Sequence, residues 1–95
     1  MKTKKVPTFQ EYLDELLKKP GNKRLFDMYG KQLEIAYKIN SMRKAHKISQ
    51  ADFAKKLGTT QSNVARMESG NQNFTTETLQ KIATVFKKEL KVEFV

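Results

Sequence analysis

Residues 49–70, SQADFAKKLGTTQSNVARMESG, leave this chain little freedom in how it folds. Ser49 is a suitable N-cap, and Asp52 three residues on can reach back to it as in a capping box. Phe53, Ala54 and Leu57 then share one apolar face, with Lys55 and Lys56 turned outward. Gly58 closes that helix where a left-handed residue is needed, because glycine has no Cβ to clash there. Thr60 caps a second helix whose inward residues are Val64 and Met67, at i and i+3. The spacing predicts two short helices joined by a tight turn.

The outward face of the second helix is Gln61, Ser62, Ala65 and Arg66. Glutamine can both give and accept a hydrogen bond at adenine, and arginine can grip guanine with two parallel bonds. Ser62 is small enough to meet a base or a phosphate, and Ala65 lets the helix approach closely or touch a thymine methyl. The same four residues turned to water would make an ordinary polar helix face. What separates the two readings is register. Gln50, Ala54, Gly58 and Val64 fall where a helix-turn-helix wants a polar first residue, a small residue at the crossing, a turn glycine and a buried β-branched residue.

On these residues the stretch resembles the helix-turn-helix of the lambdoid phage repressor and Cro family, also called the Xre family. The resemblance covers residues 33–86 and includes SQADFAKKLG, TTQSNVARMESG and TLQKIATVF. It implies that the second helix enters the major groove while the first crosses the backbone. It further implies that Gln61, Ser62 and Arg66 read base edges, and that Gln50 touches a phosphate or supports a base contact. Asn63 at the flank, with Thr60 beside it, and Asn71 and Gln72 beyond the helix join the DNA-facing set, largely at phosphates. Arg43 and Glu68 stand where the family commonly holds an arginine–glutamate pair that is structural rather than functional. The chain departs from the pattern at Lys47, where members often carry glycine, and at Phe74, where many carry proline.

Ninety-five residues allow one domain, or a small domain with an extension. With no cysteine and one histidine, His46, the chain offers neither a disulfide framework nor a metal site, and no cofactor is expected. His46 itself reads as a partly buried residue at a helix end. No apolar run reaches the roughly 20 residues of a membrane span, and the N-terminus lacks a secretory core, so a cytoplasmic protein is expected. Nineteen Lys and Arg against ten Asp and Glu give a formal charge of +9, which favours a polyanion or an acidic protein as partner. RNA fits less well, since the chain shows neither an aromatic stacking platform nor a GXXG loop. No nucleophile–base arrangement or phosphate loop suggests an enzyme.

The remaining chain divides around the motif. Residues 1–7 are a basic arm. Thr8 and Glu11 form a T-x-x-E capping box that opens a helix with Phe9, Tyr12, Leu13, Leu16 and Leu17 as its stripe, stopped at Pro20-Gly21. Asn22 caps a short helix, KRLFDMY, ended by Gly30, and a longer helix runs from Lys31 to His46 on Leu33, Ile35, Ala36, Ile39 and Met42. Its apolar positions are broad enough to meet both the extension and the motif. After the GNQNF loop, Thr75 caps a last helix with Leu79, Ile82, Ala83 and Phe86 facing the core. The tail LKVEFV alternates in strand periodicity, which asks for a partner strand from a second copy or from another protein's sheet edge.

The expected architecture is therefore all-α: a five-helix lambda-repressor-like helix-turn-helix domain at 32–88, a helical extension at 1–31 and a short C-terminal β-strand at 89–95. The extension, TFQEYLDELLKKPGNKRLFDMY, together with LKVEF behind the motif, is similar to HigA-type antitoxins of toxin–antitoxin pairs. That likeness implies a ribonuclease-type toxin as partner and repression of the protein's own operon. Phe9, Tyr12, Leu13, Leu16, Leu17, Leu25, Phe26 and Tyr29 are then candidate toxin or dimer contacts, with packing inside the chain's own domain as the competing role. The combined expectation is a homodimeric DNA-binding antitoxin on a palindromic double-stranded operator; the alternative is a stand-alone repressor.

Overall fold

The computed structural model describes residues 6–18 and 22–95, with side chains described except at 16, 17 and 22–29. Residues 1–5 of the basic arm and the Pro20-Gly21 stop lie outside the described residues, as do the side chains of Leu16, Leu17, Leu25, Phe26 and Tyr29. Among the described residues the architecture is all-α: α1 (Phe9–Leu17), α2 (Asn22–Ala45), α3 (Gln50–Leu57), α4 (Gln61–Ser69) and α5 (Thr76–Val85).

The helices begin where their caps put them. Thr8 and Glu11 close a full capping box: the Thr8 N–H donates to Glu11 Oε1 at 2.9 Å, and the Glu11 N–H donates to Thr8 Oγ1 at 3.1 Å. Ser49, Thr60 and Thr75 each hold an extended backbone and accept from the N–H three residues on, at Asp52, Asn63 and Thr78.

The ends of α2 to α5 share one device. Each runs into a residue of positive φ: Lys47 (56°), Gly58 (77°), Gly70 (78°) and Lys87 (54°). At three of them the chain closes the paired bonds of a Schellman motif. Lys47 and Ile48 N–H reach the Lys44 and Arg43 carbonyls, Gly58 and Thr59 those of Lys55 and Ala54, and Lys87 and Lys88 those of Thr84 and Ala83. Lys47 thus adopts the left-handed conformation that the family's glycine would supply. At Gly70 a second reason excludes a side chain, because a Cβ would run into the Leu33 side chain.

Two expectations are corrected here. Gly30 does not end a helix: KRLFDMY and the Lys31–His46 segment form one continuous α2, and Gly30 has no positive φ. A helix-interior glycine costs about 1 kcal/mol relative to alanine, which weakens a helix without breaking its bonds. The boundary expected between residues 31 and 32 accordingly falls inside α2. The C-terminal β-strand is likewise not formed in the single chain; residues 88–95 are irregular. A strand needs neighbouring backbone groups to pair with, and among the described residues no other strand stands beside this segment.

The core has two parts, and α2 serves both. Leu33 and Ala36 pack with Tyr12 and Leu13 of α1, while Ile39 joins Phe53, Ala54, Val64, Met67, Ile82 and Phe86 from α3, α4 and α5. Phe74, standing where proline was the family's pattern, packs against the larger cluster. Phe9, Tyr12 and Tyr37 form an aromatic trio with centroids 5.2–6.3 Å apart. Burial of this apolar surface, at about 25 cal/mol per Å², supplies the drive that holds helices of eight to ten residues in place.

Candidate nucleic-acid interface

The outward face of α4 is built as its spacing predicts. Val64, Met67 and Glu68 are buried, which turns Gln61, Ser62, Ala65 and Arg66 into solvent together. Arg66 Nη2 lies 3.4 Å from Asn63 Oδ1 one turn back, and Asn63 Nδ2 donates to Thr59 Oγ1 at 3.0 Å. Half-buried Asn63 thus links the turn to the exposed guanidinium and limits where Arg66 can reach. Thr60 is exposed, but its hydroxyl is engaged in capping α4. Beyond Gly70, Asn71 is exposed and Gln72 half-buried, and the neighbouring Asn73 meets Gln32 of α2 through its side-chain amide.

Beneath that face sits a buried carboxylate that gathers four donors. Glu68, 3 % exposed at its side chain, accepts from Arg43 Nε at 2.6 Å and from Arg43 Nη2 at 3.0 Å. Asn40 Nδ2 at 3.0 Å and Gln50 Nε2 at 3.1 Å complete the set. The same Arg43 donates through Nη1 to the Ile48 carbonyl at 2.9 Å, locking the turn between α2 and α3. The arginine–glutamate bridge expected from the sequence is therefore the centre of a larger network, in which both oxygens of the buried carboxylate are satisfied.

Gln50 changes place in this light. It stands at the first position of α3, but its amide nitrogen is directed into the Glu68 network, and the residue is half-buried. That bond fixes α3 against α4. Asn40 escaped the sequence reading altogether. The signal was present as a lone amide between Ala36 and Arg43 on a helix face otherwise spent on apolar contacts.

Of the extension's candidate contacts, those with described side chains take the competing role, packing inside the chain's own domain. Tyr12 and Leu13 are each 7 % exposed and belong to the chain's own core, so in this conformation neither is available to a partner. Phe9 is half-buried against the same cluster. The Tyr12 hydroxyl donates to the Glu68 carbonyl at 2.7 Å. Burial, and secondarily the Glu68 charge, push the Tyr12 phenol above its ordinary range, so it stays a donor. His46, expected to be partly buried, is exposed, although its ring lies 4.9 Å from that of Phe86 and its Nδ1 is 2.9 Å from the Met42 carbonyl oxygen.

Among the described residues no group of three His, Cys, Asp or Glu could hold a metal ion, and no helix is long and apolar enough to cross a membrane. Residues 39–92, more than half of the chain, match a family model described as Helix-turn-helix. Neither the curated proteins nor the solved structures contain a match to it.

Proposed function

Because the chain belongs to the Xre/Cro-like helix-turn-helix family, a family of DNA-binding transcription regulators with an all-α lambda-repressor-like fold, we propose that it is a sequence-specific repressor working as a homodimer. The observation that carries this reading is the exposed Gln61, Ser62, Ala65, Arg66 face held over the buried Glu68 network. A reading helix must present its side chains with little freedom, and here its inner side is locked to α2 and α3 before any DNA arrives. Basic residues supply salt-dependent attraction, while Gln61, Ser62 and Arg66 discriminate bases. One such helix spans only a few base pairs, so useful specificity calls for two copies on half-sites about one helical turn apart. The protein then acts by occupying a palindromic operator in the cytoplasm, not by catalysis and without a cofactor.

The finer reading makes it an antitoxin that neutralises a ribonuclease-type toxin and represses its own operon. Its support is the similarity of the extension and of LKVEF to HigA-type antitoxins. Burial of Tyr12 and Leu13 favours instead a stand-alone repressor, because it gives two of the extension's apolar residues a role inside the domain. Selection of bound duplexes from a random pool tests the repressor reading. A palindromic consensus supports it, and recovery without any sequence preference overturns it. Affinity purification from the native host in high salt, followed by mass spectrometry, tests the antitoxin reading. High salt strips electrostatic contacts to nucleic acid and leaves an apolar protein interface intact. A stoichiometric small partner supports the antitoxin; a bare homodimer leaves the stand-alone repressor.

A further inference from the structure

The end of α4 and the loop behind it are held from outside the helix-turn-helix segment, which begins at residue 39. The Tyr12 hydroxyl of α1 donates to the Glu68 carbonyl at 2.7 Å. Leu33 of α2, 1 % exposed, fills the space that a Cβ on Gly70 would need. Gln32 beside it donates through Nε2 to Asn73 Oδ1. From within the segment, the Gly70 and Asn71 N–H groups both reach the Arg66 carbonyl, and Phe74 returns the chain to the core. Asn71, exposed, and Gln72, half-buried, thus sit between two anchored ends. Ser69 continues the Gln61, Ser62, Ala65, Arg66 face at helical spacing, so the loop leaves α4 at the end of that face.

We propose that Tyr12 and Gln32 are positioning residues for DNA binding. They hold residues 68–73 so that the Asn71 and Gln72 amides meet the phosphates beside the bases that α4 reads. The inference rests on the DNA-binding reading above and gives the N-terminal extension a part in that interface without a DNA contact of its own.

Hydrogen bonds to phosphates fix the register of a protein on the duplex, and side-chain amides can donate them. A neutral amide lacks the long-range pull of a lysine, so its contribution depends on placement. A loop ordered before binding avoids the entropy loss that a loose GNQNF loop would meet on the duplex. Folding accounts for part of the arrangement, because a buried Tyr12 hydroxyl needs an acceptor wherever it lies. The Gln32–Asn73 bond is different. It lies at the surface, where it adds little stability, and what it does fix is the position of the loop.

The test uses the full chain with a duplex selected from a random pool and a scrambled duplex. Gln32→Ala should bind both about three- to tenfold more weakly per protomer, the loss of one hydrogen bond, with an unchanged melt. The slope of affinity against salt should stay as in wild type, because neutral amides displace no counterions. Phosphate-ethylation interference gives a readout that a merely structural role would not move. The phosphates that lose interference in an Asn71→Ala, Gln72→Ala double variant should lose it in Gln32→Ala and in Tyr12→Phe, while methylation interference at the bases persists. Failure of the pool to yield a preferred duplex would overturn the sequence-specific reading and this inference with it. A preferred duplex that wild type, Gln32→Ala and Tyr12→Phe bind alike would overturn the positioning role alone. So would a loss in Asn73→Ala that Gln32→Ala does not share, since Asn73 would then be the phosphate contact itself.

Discussion

The Tyr12 hydroxyl donates to the Glu68 carbonyl at 2.7 Å, joining residues 56 positions apart. Glu68 is in the last turn of α4, where helix carbonyls lose their intrahelical donors, so the N-terminal extension caps the end of α4. Tyr12→Phe should cost about 1–2 kcal/mol, the loss of one buried hydrogen bond, measurable by urea denaturation. The pH dependence has a definite sign. The folded chain holds the phenol proton above its ordinary value of 10.0, so the unfolded chain releases it first. This contribution is therefore complete below about pH 10 and declines as pH rises further. The gap between wild type and Tyr12→Phe should narrow above pH 10; a constant gap would remove Tyr12 as its source.

Glu68→Ala should destabilise the domain by about 3–5 kcal/mol, because it strands the shielded Arg43 guanidinium and deprives Asn40 and Gln50 of their acceptor. Against a total stability of about 5–15 kcal/mol for a domain of this kind, that places the variant near unfolding. Combining it with Arg43→Met should recover part of the loss, since no uncompensated charge then remains. A double-mutant cycle in denaturant with a coupling below about 0.5 kcal/mol would show the pair to be independent.

Lys47→Gly should stabilise the protein. Lys47 sits at φ 56°, where a Cβ is strained, and its N–H already closes the end of α2 onto Lys44. Relief of that strain, less the greater freedom glycine gives the unfolded chain, leaves about 0.5–1 kcal/mol. Thermal melts should then rise by about 2–8 °C. Lys87, at φ 54°, should respond in the same direction.

Arg66→Ala should weaken binding to the preferred operator by about 1–3 kcal/mol and relax base preference at the position it reads. Its side chain is exposed and makes its one described contact with Asn63, so thermal stability should change little. Titrations against the selected site and a scrambled duplex check both effects. Equal loss on the two duplexes would reassign Arg66 to a phosphate contact.

The features legible in the sequence were those decided within a few residues. The caps at Thr8, Ser49, Thr60 and Thr75, the left-handed turn at Gly58, and the outward Gln61, Ser62, Ala65, Arg66 face depend on bonds and periodicities no longer than two helical turns. The Arg43–Glu68 bridge was also found, on the strength of a family resemblance rather than of local physics.

What the tertiary structure decided has a longer reach. Whether Gly30 ended a helix depended on the rest of α2 being docked against two clusters, a gain that outweighs a local cost of about 1 kcal/mol. Gln50 and Asn40 became partners of Glu68, 18 and 28 positions away, because a buried carboxylate draws in whatever donors packing brings within reach. The extension's stripe could have faced a partner or its own domain, and amphipathic periodicity is the same in both cases. For Tyr12 and Leu13, packing beside Leu33 and Ala36 supplied the domain's own core as the partner. Sequence alone determined the caps and the outward face of α4, since local hydrogen bonds and helical periodicity specify them; tertiary packing decided how far α2 runs and which side chains hold that face still.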